Sequence, residues 1–86
     1  MARFFLNLHR CGEVTSDEEG YDLPGLNAAR AFALESARDI IAAEVKAGEL
    51  CLGWSIEIED EARRLVASVG FHDAVAIRGE DRRWLH

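Results

Sequence analysis

The chain has 86 residues, of which 49% are hydrophobic and 30% charged, and its formal net charge is −6. That length supports one small core and not two, and the balance of apolar and charged residues excludes a disordered chain. The negative charge works against long-range attraction to nucleic acid or anionic membrane, and no apolar run approaches the roughly 18 residues of a membrane helix.

Residues 3–10 alternate, with Phe4, Leu6 and Leu8 on one side and Phe5, Asn7 and His9 on the other. This is the period of a strand with one apolar face. Cys11-Gly12 offers a turn, and Glu13-Val14-Thr15 has enough β character for a short returning strand. From Leu26 to Ala47 the period changes. At about 100° per residue, Leu26, Ala29, Ala33, Ala37, Ile40, Ile41 and Ala47 share a face. Glu35, Arg38, Asp39 and Lys46 lie on or near the other side. The abundance of alanine favours helix, Gly25 is the expected N-cap, and Gly48 suits a left-handed C-terminal cap.

Alternation returns after Gly48, with Leu52, Trp54, Ile56 and Ile58 on one face and Leu65, Ala67 and Val69 in phase beyond a polar link. Two such runs read as an antiparallel hairpin. Phe71-His72-Asp73-Ala74-Val75 lacks that alternation and fits one helical turn closing the core. The expected architecture is α+β and two-layer, β-β-α-β-β. A four-stranded antiparallel sheet in the order 2-1-3-4 carries one long helix on one face. Residues 1–77 form the domain and residues 78–86 a charged tail.

The acid-rich stretch S-D-E-E-G-Y-D-L-P invites a cation-site reading, which requires several oxygens on one loop. Its spacing does not fit an EF-hand, since Asp17, Glu18 and Glu19 are consecutive and the twelfth position is Ala28. The acids are instead expected to complement the positive N-terminal end of the helix. His9, Cys11, Cys51 and His72 do not have the close paired spacing of a zinc site. Without a signal-peptide pattern, Cys11 and Cys51 are expected to be reduced thiols in a cytoplasm. No nucleophile elbow, phosphate-binding loop or dinucleotide fingerprint occurs. No catalytic residue, cofactor, metal or small-molecule ligand is assigned. Phe5 and His9 on the free face of the sheet could stack bases, but nucleic acid is an unfavoured partner.

The assembled pattern resembles a family of small uncharacterised alphaproteobacterial proteins catalogued as a domain of unknown function. Phe4-Phe5, Asp17-Glu18-Glu19-Gly20, Leu23-Pro24, Ala28-Ala29-Arg30, Ile56-Glu57-Ile58 and Phe71-His72-Asp73-Ala74-Val75 carry the resemblance across residues 3–77. Gly25 stands where an acidic helix cap is usual, and Phe32 where a polar residue is expected. The resemblance implies a common fold and a bacterial cytoplasmic origin, but no activity. The first strand, turn and helix start also resemble antitoxins of HicB type, at the level of fold alone.

The expected function is therefore that of a non-enzymatic interaction or regulatory module, with a HicB-type antitoxin-like protein as the alternative. Phe32 projects about 120° from the centre of the helix's core face, and Trp84-Leu85 closes a charged tail. The hairpin leaves an edge strand open to pairing. Phe32, Trp84 and Leu85 are the candidate interaction residues, for a protein partner or a second copy in a symmetric homodimer.

Overall fold

A computed structural model of the chain describes residues 1–78. β1 (Ala2–Arg10) runs down the middle of the sheet. Cys11 and Gly12, the latter with φ 73, turn it into β2 (Glu13–Thr15), which pairs with Leu8–Arg10. β3 (Tyr21–Leu23) pairs along the same edge of β1, opposite Ala2–Phe4. β4 (Ser55–Glu59) pairs on the other side of β1, and β5 (Leu65–Gly70) pairs with β4. The sheet thus has five antiparallel strands, β2-β1-β4-β5 with β3 also on β1.

This corrects the four-stranded expectation. The place beside β1 is shared by two three-residue strands, β2 and β3, either side of the Ser16–Gly20 loop. Three residues ahead of Pro24 are too few to show a period of two, so Tyr21-Asp22-Leu23 read as an approach to the helix. Backbone pairing with β1, held by Arg3 across from Asp22, makes them a strand. The Arg3 guanidinium donates to both Asp22 carboxylate oxygens at 3.1 Å.

α1 (Leu26–Lys46) is 21 residues long and begins at its N-cap Gly25. Ala29, Ala33, Ala37 and Ile41 form an i, i+4 row, and all four are buried. With methyl groups at three of those positions, the helix can lie close to Ile56 and Ile58 of β4 and to Ala67 and Val69 of β5. Leu26, expected on the core face, is partly exposed at the first turn.

The C-terminus of α1 closes as a Schellman motif. The Gly48 amide donates to the Val45 carbonyl and the Glu49 amide to that of Glu44, both at 2.9 Å. Gly48 takes φ 89, the left-handed conformation this cap needs.

Two departures in the hairpin share a physical cause in irregular backbone. Leu52 lies in the turn before β4 and Trp54 just after that turn, and neither is a strand residue. In β5, Glu59 faces Leu65 while Ile58 faces Ala67, so Val66 is an extra residue. Such a bulge resets the alternation. Leu65 therefore lies in the row of Glu59, away from the helix, and is 62% exposed.

α2 (Phe71–Ala74) follows β5 at once and seals the end of the core. Phe71 is fully buried, with its ring 5.7 Å from that of Trp54, and its amide donates to the Trp54 carbonyl at 2.8 Å. Arg38 of α1 donates through Nε to the Ala74 carbonyl at 2.7 Å, tying the two helices together.

Candidate interaction surfaces

Three parts of the molecule hold the residues singled out in the sequence: the acidic loop, the face of the sheet away from α1, and the apolar groove beside Phe32.

The acidic loop is a clasp on the sheet. β2 and β3 leave Leu6 of β1 without a strand partner on that edge, and the Asp17 side chain fills the gap. Its Oδ2 accepts from the Leu6 amide at 3.1 Å, while Oδ1 accepts from the amides of Glu19 (3.2 Å) and Gly20 (2.9 Å). Asn7, only 5% exposed, returns the contact by accepting from the Asp17 amide through Oδ1 at 2.8 Å. A buried polar side chain of this kind needs its partner, and the loop supplies it.

Gly20 is required there twice over. Its φ is +77, and a Cβ would sit 2.9 Å from the Phe4 carbonyl oxygen. The D-E-E-G spacing thus places one acceptor and one glycine where a strand would otherwise have to run. Asp17 and Asp22 of the acid-rich stretch are thus engaged at the sheet, Asp17 by backbone amides and Asp22 by Arg3, and the first turn of α1 itself contains no acidic residue.

Arg63 locks this clasp to the hairpin. It occupies the left-handed position (φ 63) of the Glu61–Arg63 loop, where glycine is usual in a three-residue hairpin. The loop is shaped by Asp60, whose Oδ1 accepts from the amides of Ala62 (2.9 Å) and Arg64 (3.0 Å). From there the Arg63 guanidinium lies 3.5 Å over the centre of the Phe5 ring. It also donates to Glu59 Oε1 and to the Asp17 carbonyl, each at 3.2 Å.

The Phe5 face, a possible base-stacking platform by sequence, already carries a cation. Neither Arg63 nor Asn7 stands out in the sequence as a site. The usable signals are a lone amide in the polar row of β1 and an Asp-x-x-Gly pattern suited to an Asx-type turn.

The groove lies between α1 and β1. Leu6 and Leu8 of β1, Tyr21 of β3, and Phe32, Ser36 and Ile40 of α1 surround an open cavity of about 140 Å³ floored by Ile56. Phe32, expected to stand free, is half-buried, and its ring lies 4.5 Å from that of Tyr21 at an interplanar angle of 42°. Tyr21 on β3 therefore shields one side of it. The other two candidate residues, Trp84 and Leu85, lie outside the described residues.

Of the remaining candidates, Cys11 is exposed at the β1–β2 turn and Cys51 is half-buried before β4. Among the described residues no three His, Cys, Asp or Glu side chains converge on a common point. Among the same residues, no helix is long and apolar enough to cross a membrane.

An antiparallel sheet with one long helix on one face, and a side-chain clasp in the gap that β2 and β3 leave beside β1, is a small α+β scaffold. The chain belongs to the family described as Domain of unknown function (DUF6894), whose model matches residues 3–72. That span runs from β1 through the Asp17 clasp, α1 and the hairpin into α2. No curated protein and no solved structure matches the chain.

Proposed function

We propose that the chain is a small non-enzymatic interaction or regulatory module of a bacterial cytoplasm, working through the groove beside Phe32. The observation that carries this reading is the apolar gap between α1 and β1. The alanine row seats the helix over β4 and β5, and leaves Leu6, Leu8 and Ile40 only partly covered. Among the six side chains around the groove only Ser36 and Tyr21 carry a polar atom. Such a lining suits an apolar side chain of a protein partner better than a reacting substrate.

The test is a capture experiment in the host with the intact chain and with Phe32→Glu, after thermal melting has shown that both fold. A partner bound by the intact chain and lost by Phe32→Glu is the expected result. A partner retained equally by both would exclude the groove as the binding surface. If the partner is a small basic toxin encoded beside this chain, the antitoxin alternative replaces the regulatory one.

A further inference from the structure

We propose that the outer edge of β5 is a self-pairing surface, on which a second copy of this chain adds its own β5 antiparallel about a two-fold axis at Ser68. The inference rests on the reading that the chain works by association, but not on what fills the Phe32 groove.

The direction of the β5 backbone follows from the clasp. Leu6 points its amide at Asp17, away from β4. In antiparallel strands each residue directs its N–H and C=O to the same side, alternating along the chain. Phe5, Asn7 and His9 therefore bond β4, through its partners Glu59, Glu57 and Ser55. Ile56 and Ile58 then turn toward β5, where they meet Val69 and Ala67. Ser68 and Gly70 are left pointing outward. Among the described residues, no hydrogen bond from outside the sheet reaches either of them.

The composition of this edge fits pairing. Exposed edge strands are usually blunted by charge, proline or brevity. β2 and β3 are three residues long and each carries a carboxylate, Glu13 and Asp22. β5 reads L-V-A-S-V-G over six residues with no charge and no proline. Its bulge lies at the start, where Leu65 and Val66 remain exposed at 62% and 37%.

The occupant is a second copy because the strand is self-complementary. A two-fold axis at Ser68 lets its N–H donate to the partner's Ser68 carbonyl and its carbonyl accept in return, the isologous arrangement of a symmetric dimer. The same axis sets the partner's apolar Leu65–Val66 end beside Gly70, against which the His72 ring and the Asp73 carboxylate also lie. There an open cavity of about 270 Å³, lined by Arg30, Ala31, Leu34, Ser68, Val69 and Asp73, leaves room between the strand and α1. A strand pair alone falls short of the ~1,200 Å² of a stable interface, so the Arg30–Leu34 flank of α1 must join the contact.

The test uses the position that faces itself. Ser68→Lys and Ser68→Glu each place like charges directly opposite across the two-fold, whereas a mixture of the two places opposite charges there. Sedimentation of the full chain should show a dimer. Each variant alone should dissociate up to about fivefold more readily, and the mixture should recover the heterodimer. Ser68→Pro, which removes only an outward N–H, should also weaken association, with circular dichroism confirming the fold. Phe32→Glu should leave the dimer intact, which separates this surface from the groove.

A monomeric native chain at high micromolar concentration would overturn the proposal. So would variants of Ser68 that dimerise as well as the native chain. A monomer whose Ser68 amide is protected at every dilution would mean instead that residues 79–86 occupy the edge.

Discussion

At the β1 edge the outward backbone of the sheet is hydrogen-bonded by side chains, whereas at the β5 edge no hydrogen bond from outside the sheet reaches Ser68 or Gly70 among the described residues, although His72 and Asp73 lie against Gly70. The first edge uses a carboxylate as a substitute for a strand. Asp17 satisfies three backbone amides at once, Gly20 lets the loop approach Phe4, and Arg63 pins the loop to the hairpin. The second edge has a bulge at one end and otherwise an uncharged strand. The difference teaches that the acid-rich stretch serves to close one side of the sheet, and that among the described residues no comparable side-chain clasp closes the other.

Substitutions break this comparison at different depths. Ile56→Ala acts on both edges together, since Ile56 is buried between β1 and β5 beneath α1. It should cost about 2–5 kcal/mol in urea unfolding. A cost under about 1 kcal/mol would belong to a surface site and would contradict the pairing of Ile56 with Leu8 and Val69.

Asp17→Ala acts on one edge alone and should cost about 2–3 kcal/mol, as expected for hydrogen bonds to a charged acceptor. Its distinguishing sign is faster exchange of the Leu6 amide with little change at Val69. Equal acceleration at both amides would show general loosening instead of an opened clasp. Gly20→Ala tests the same edge through the backbone. With φ +77 and a Cβ forced against the Phe4 carbonyl, the strain should cost about 1–3 kcal/mol.

The smallest effect is a contrast at the lock. Arg63→Ala loses the stacking on Phe5 and keeps the left-handed strain, whereas Arg63→Gly loses the same stacking but relieves the strain. Arg63→Gly should therefore be the more stable of the two by about 1 kcal/mol, although it removes the larger part of the side chain. The reverse order in thermal melts would mean that the φ of 63 is not held in solution.

Much of this fold is legible in the sequence because the long elements announce their periods. β1 shows its alternation over nine residues and α1 its alanine row over 21, and Gly25 and Gly48 mark the helix ends as expected. β3 is not legible, since three residues cannot display a period and its pairing depends on a distant strand. Leu65 is misplaced by periodicity because a single extra residue at Val66 inverts the alternation before it.

The clasp is half legible. Its residue types are conspicuous, but their target is the Leu6 amide, and a backbone donor leaves no trace in side-chain chemistry. Phe32 stands out in the sequence as apolar off the core face, yet Tyr21 cannot be placed beside it until β3 has a position.

The contrast between the two edges rests most directly on two amides, Leu6 and Ser68. Their hydrogen exchange in the intact chain should be followed at low and high micromolar concentration. Leu6 should exchange slowly at both concentrations, because Asp17 of the same chain holds it. Ser68 should exchange freely in the dilute sample and slow as the concentration rises and β5 finds a second copy. Fast exchange at Leu6, or protection of Ser68 that ignores concentration, would contradict the pairing of a closed edge with an open one.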